Sequence, residues 1–194
     1  MDVNTDNPKV KSPSDNPYPL DNPQLIHSAV SLHGAPPLKN VVVIWPLVIA
    51  ALQEFGIDTP NTRIVAAATI KTETGIFYPI YEKLANPQTQ PHIYEQQQRY
   101  YPSGYYGRGI VQTTWEKNYL ATGQALKLDL IKNPNLLLDP KNSARALAWY
   151  FKDRRMNISS DAGNWELTRK QVNGGTNGLP EDLDYINALL KLVY

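Results

Sequence analysis

"AATIKTETGIFYPIYEKL", residues 67–84, places two carboxylates where the chain changes character. Ile64, Ala67, Ala68 and Ile70 recur at helical spacing, which predicts a buried helix with Thr62 as its N-cap and Gly75 just past its last turn. Glu73 falls on that last turn, with Ile76 and Phe77 close behind it. A carboxyl held against apolar groups tends to keep its proton, which is the property a general acid needs. Gly75 and Pro79 then break the helix, and Glu82 follows nine residues after Glu73 among aromatics. Hydrolysis of a glycosidic bond takes two carboxyls, one giving a proton to the leaving oxygen and one activating water or attacking the sugar. Glu82 and Glu95 are both available for the second role, and charge alone does not choose between them.

Working outward, the same helical spacing recurs several times. "WPLVIAALQEFGI" (45–57) reads as a helix with Pro46 near its start and Gly56 as its stop, entered through a strand-like "VVVI". "WEKNYLATGQAL" and "PKNSARALAWYFKDRRM" are helical, the second with Ala144, Leu147, Ala148 and Phe151 on one face. "LPEDLDYINALLKLVY" repeats the pattern through Leu183, Ile186, Leu190 and Val193. Residues 76–109, rich in Tyr, Gln and Pro, form a long irregular section of the kind that carries function. The class is therefore mainly α, with at most a small hairpin near residues 92–112. Residues 1–38, with "DNP" at 6–8, 15–17 and 21–23, read as a Pro- and Asn-rich arm or linker that leaves a short ordered patch at "QLIHSAVSLHG". A catalytic domain is expected over residues 39–194.

Composition removes several alternatives. Lys and Arg number 19 against 18 Asp and Glu, so no charged field points to a nucleic acid. The chain has no Cys, which excludes disulfides, thiolate metal sites and a Cys nucleophile. His27, His33 and His92 are scattered without ligand spacing, so neither a metal nor another cofactor is expected. No G-x-S-x-G element is present. The longest apolar run, residues 41–52, is too short to span a bilayer, and the N-terminus lacks the pattern of a secretory signal peptide.

Two downstream stretches supply polar groups suited to a sugar. "YYGRGIVQTTWEKNY" (105–119) sets glycines around Arg108 and then offers Gln112, Thr114 and Asn118 at spacings of two and four. "RKQVNGGTNG" (169–178) presents Asn173 beside a Gly pair. Amides and hydroxyls flanked by aromatics match a neutral, hydroxyl- and acetamido-bearing ligand.

From about residue 45 onward the chain resembles glycoside hydrolase family 19, and most resembles its bacterial and phage peptidoglycan-degrading members. The resemblance rests on "IKTETGIF", on "YYGRGIVQTTWEKNY", on "VNGGTNG" and on "LDLIKNPNLLLDPKNSARALAWYFKDR", in the family's order and spacing. It implies a lysozyme-like, bilobal helical domain and an inverting, single-displacement cleavage of β-1,4 glycosidic bonds, with carboxyls about 6.5–9.5 Å apart. It also implies Glu73 as the acid, Glu82 as the base with Glu95 as its rival, and Thr114 as the residue holding the attacking water. Gln112, Asn118 and Asn173, with Arg108, Tyr105 and Tyr106, fall on substrate-binding positions. Thr72, Ile76 and Thr113 depart from the family pattern, where His, Gly and Leu are usual, and these departures bear on cleft shape and substrate. The implied partner is the glycan of peptidoglycan, with chitin or a catalytically silent glycan-binding role as alternatives. A monomer is expected, held in a host cytoplasm before release to the cell wall, or carried on a virion or outside the cell.

Overall fold

In the computed structural model, residues 18–175 and 178–194 are described. Two of the "DNP" copies, at 6–8 and 15–17, lie outside them. After a short 3-10 turn at Pro19–Asp21, α1 spans Pro23–Ala29, α2 Leu38–Glu54 and α3 Pro60–Thr74. Next come β1, Ile80–Tyr81; α4, Pro91–Gln97; β2, Arg108–Gly109; and α5, Glu116–Leu126. The chain closes with α6, Pro140–Asp153; α7, Met156–Asp161; α8, Trp165–Asn173; and α9, Leu179–Leu190. β1 and β2 pair antiparallel, Ile80 opposite Gly109 and Tyr81 opposite Arg108. The small sheet thus draws on a strand N-terminal to the expected hairpin window, and residues 92–97 within that window are helical.

The strand-like entry expected at "VVVI" is helix instead. Val41, Ile44, Trp45, Val48, Ala51 and Leu52 recur at three- and four-residue intervals, and all are buried, so one continuous helical face wins over β-branched propensity. Pro46 consequently lies inside α2 and not at its start. α3 begins three residues earlier than read from sequence. Thr59, not Thr62, is the N-cap: its hydroxyl accepts from the Thr62 amide at 3.1 Å, with Pro60 at the first helical position.

Two apolar clusters form the interior. The larger gathers α2, α3, the inner face of α6 and residues of α9, with Trp45, Phe77 and Phe151 fully buried. The smaller joins Tyr119, Leu126, Leu130 and Leu137 to Ala146 on the other side of α6. α6 is therefore the shared wall, and its predicted face of Ala144, Leu147, Ala148 and Phe151 is buried. The buried stripe of α9 is rotated from the expected one: Asp182, Tyr185, Ile186 and Leu189 face inward, while Leu183 and Leu190 are half-buried.

The packed body begins before residue 39. Leu20, Ile26, Ala29 and Val30 belong to the larger cluster, and the buried Trp45 indole donates to the Leu20 carbonyl at 2.7 Å. The boundary expected at residue 38 is corrected accordingly, because these four apolar residues find their burial on α2. Among the described residues, no helix is long and apolar enough to cross a membrane.

Candidate active site

A cleft of about 620 Å³ opens between the two clusters, and Glu73 and Glu82 both line it. They arrive by different routes. Glu73 lies on the last turn of α3, which ends because Gly75 takes φ +67° and returns its amide to the Lys71 carbonyl. The turn that follows is pinned: the Thr74 hydroxyl accepts from the Phe77 amide, Lys71 Nζ donates to the Gly75 carbonyl, and Asn40 donates to the Ile76 carbonyl. Glu82 directly follows β1, and its amide donates to the Gly107 carbonyl at 2.7 Å. The sheet thereby carries the second carboxylate to the cleft.

The two carboxylates have unlike settings. Glu73 Oε1 accepts from Arg169 Nη1 at 3.0 Å, and Arg169 is itself buried. The apolar surround expected for Glu73 is corrected by this contact: the apolar residues of α3 face the core, and the Glu73 side chain, 20% exposed, meets a guanidinium. Behind that pair lies Asp182, 2% exposed, which accepts from the Thr72 hydroxyl at 3.1 Å. Burial pushes the Asp182 carboxyl up to about 6, against the pull of Arg169 and the Thr72 hydrogen bond. Glu82 has three donors instead. Gln97 Nε2 at 2.8 Å and Tyr100 Oη at 2.6 Å donate to Oε1, and the Gly107 amide at 3.0 Å donates to Oε2. Burial, reinforced by Glu82, pushes the Tyr100 phenol well up, so it remains a donor to that carboxylate.

Gln112, Thr114 and Asn118 line the same cleft. Gln112 sits at φ +51° and its amide donates to the Gly109 and Ile80 carbonyls at 2.7 and 3.1 Å, which ties the loop to the sheet. Thr114 donates to the Gln112 carbonyl, and Asn118 to the Thr114 carbonyl at 2.7 Å. The first bond occupies the single hydroxyl hydrogen of Thr114 and leaves its hydroxyl oxygen free to accept. Asn173 closes α8, and its side chain lies outside the described residues, as do residues 176 and 177.

Three expected substrate contacts are not among the residues lining the cleft. Arg108 is buried, donating to Asn135, the Gly104 carbonyl and Tyr119 and stacking 3.8 Å over the Tyr106 ring. Tyr106 stacks on Tyr101 at 4.3 Å, and Tyr105 donates to the Ile131 carbonyl. Together they build the loop that presents Gln112 and Thr114, because a buried guanidinium must spend its donors inside the protein. Glu95 lies in a separate depression beside the cleft.

Sequence reasoning missed Arg169, Asp182, Gln97 and Tyr100, whose meaning comes from the carboxylates they touch. It also missed Trp149 and Tyr150 of α6 on the opposite wall, and Trp115. One signal was present for Asp182: it falls at i, i+3, i+4 and i+7 with Tyr185, Ile186 and Leu189, a carboxylate on an apolar stripe.

A helical body split by a carboxylate-lined cleft defines a lysozyme-like glycosidase fold. Solved chitinases share it: a chitinase C from Streptomyces griseus superposes with a TM-score of 0.59 at 24% identity, covering 89% of this chain and 75% of that one. A bacterial family 19 chitinase gives 0.60 at 22%, covering 89% and 94%. Residues 63–173 match glycoside hydrolase family 19, described as chitinase class I, and the chain belongs to that family. Curated relatives include an endochitinase of Pisum sativum, 41% identical over 76 residues, which are 37% of this chain and 24% of that protein. An inactive chitinase-like protein 1 of Hevea brasiliensis is 37% identical over 76 residues, with the same coverage. The chain thus spans about a quarter of the length of these two relatives.

Proposed function

We propose that this chain hydrolyses β-1,4 bonds in a glycan containing N-acetylglucosamine, by single displacement. The observation that carries this is the pair of carboxyls in one cleft, Glu73 beside a cation and Glu82 ringed by donors. Glu73 gives its proton to the glycosidic oxygen as the bond from that oxygen to C1 breaks. Glu82 accepts a proton from the water whose oxygen forms the new bond to C1 from the opposite face, and Thr114 steadies that water through its free lone pairs. Glu82 takes this role over Glu95 because it lines the cleft with Glu73. The product anomer is inverted.

Chitin-type polymers are the substrates that the names of the relatives support. A peptide-bearing glycan of the peptidoglycan type is a second reading, favoured by the charged depression beside α4 described below. Release of reducing ends from soluble chitin and from purified peptidoglycan tests the reaction, with the anomer read by proton NMR. Glu73→Gln and Glu82→Gln should each lower kcat at least about a hundredfold on whichever polymer is cut. Undiminished turnover by Glu73→Gln would remove the mechanism. A retained anomer would remove the water-activating role of Glu82.

A further inference from the structure

A second depression of about 320 Å³ adjoins the cleft, lined by His92, Glu95, Gln96, Arg99, Tyr100 and Trp115. Tyr100 and Trp115 also line the cleft, so the two spaces share an aromatic wall. The rings pack at 5.0 Å between centroids, and Trp115 is 42% exposed at φ +74°. A bulky residue at positive φ is strained, and here that conformation holds an indole out at the rim of the site.

Of the other four residues, His92, Glu95 and Gln96 lie on one face of α4, at i, i+3 and i+4, and Arg99 follows in the turn just past the helix end. His92 and Gln96 pair through their Nε2 atoms at 3.0 Å. Glu95 and Arg99 are both exposed and bring opposite charges to the same depression. Yet neither the Glu95 carboxylate nor the Arg99 guanidinium has a hydrogen-bond or ion-pair partner among the described residues. One depression beside a glycan cleft therefore offers a free anion, a free cation and an amide–imidazole pair. A chain of N-acetylglucosamine carries no ionic group to meet them. An amino-acid substituent does, with a carboxylate for the planar fork of arginine and an ammonium for the glutamate.

We propose that the depression formed by α4 and the turn after it is a subsite for a short peptide attached to the glycan, which would cross the Tyr100–Trp115 wall while the sugar chain occupies the cleft. Arg99 takes a peptide carboxylate, Glu95 an ammonium, and the His92–Gln96 pair a peptide amide. This rests on the glycosidase reading above and names its substrate class.

The test compares kcat/KM on purified peptidoglycan with kcat/KM on the same glycan stripped of its peptides by an amidase. For the wild type the ratio of intact to stripped should exceed that of the doubly substituted Glu95→Gln, Arg99→Ala variant by about tenfold, the equivalent of about 1.4 kcal/mol. An unchanged ratio overturns the subsite, and so does an equal loss on both substrates, the result expected if Glu95 were the catalytic base. Cosedimentation of Glu73→Gln with the two glycans reads binding without turnover. Tighter binding to the intact glycan, lost on adding Glu95→Gln and Arg99→Ala, supports the subsite even if neither polymer is cut. Equal binding overturns it even if both are cut, leaving the acid–base reading intact.

Discussion

Around Glu82, each donor has a measurable share. Tyr100→Phe removes one of three hydrogen bonds to the carboxylate while keeping the ring against Trp115. A hydrogen bond to a charged group is worth about 1.5–3 kcal/mol, so kcat should fall at least about tenfold with the fold unchanged by circular dichroism. A negligible change would argue that Glu82 is not the base. Asp182 makes a different prediction, read in stability. Its carboxyl stands at about 6 in the folded chain against an ordinary value of 3.8. Between those values the folded state holds a proton that the unfolded chain has released, so the contribution is full below about pH 4 and is lost as pH rises to 6. Two units correspond to about 3 kcal/mol. Asp182→Asn cannot titrate, so the stability of the wild type relative to this variant should decline across pH 4–6 in urea unfolding. A flat difference would refute the linkage. The carboxylates could be picked out in the sequence because charge at the end of an apolar helix is conspicuous. Arg169 could not, because its role exists only through Glu73, 96 residues away.

Between elements, the sheet that delivers Glu82 depends on glycine at its second strand. Gly109 takes φ +88°, and a Cβ there would stand 2.8 Å from Ser143 Oγ and 3.2 Å from the Leu137 carbonyl. Ser143 Oγ is itself the acceptor of the Ile110 amide. Gly104 takes a similar φ of +84° with open space around its missing Cβ. Alanine at 104 should cost about 1 kcal/mol from backbone strain alone, and alanine at 109 about 2–3 kcal/mol, compared through urea midpoints. Equal costs would mean that the contact with α6 is unimportant. α5, α6 and α9 were legible from 3.6-residue periodicity. β1 and β2 were not, since two-residue strands leave no alternation to read and exist only because Ile80 and Gly109 meet across 28 intervening residues.

As a whole molecule, the chain packs Leu20, Ile26, Ala29 and Val30 into its interior, where composition suggested an arm. Ile26 is fully buried against the larger cluster, so Ile26→Ala should cost about 2–5 kcal/mol in a single cooperative unfolding transition. An unaffected midpoint would separate this segment from the folding unit. By itself the sequence determined the helical class, the helices with strong apolar stripes, and the motifs that place the chain in glycoside hydrolase family 19. These are local properties, set by spacing along a few turns of chain. Only the tertiary structure decided that Glu82 shares the cleft with Glu73 while Glu95 turns to an adjoining face. It also decided that Arg108 is an internal brace and that Arg169 and Asp182 stand behind Glu73. Those choices depend on which distant groups are desolvated together, and burial is a property of the packed chain, not of any one segment.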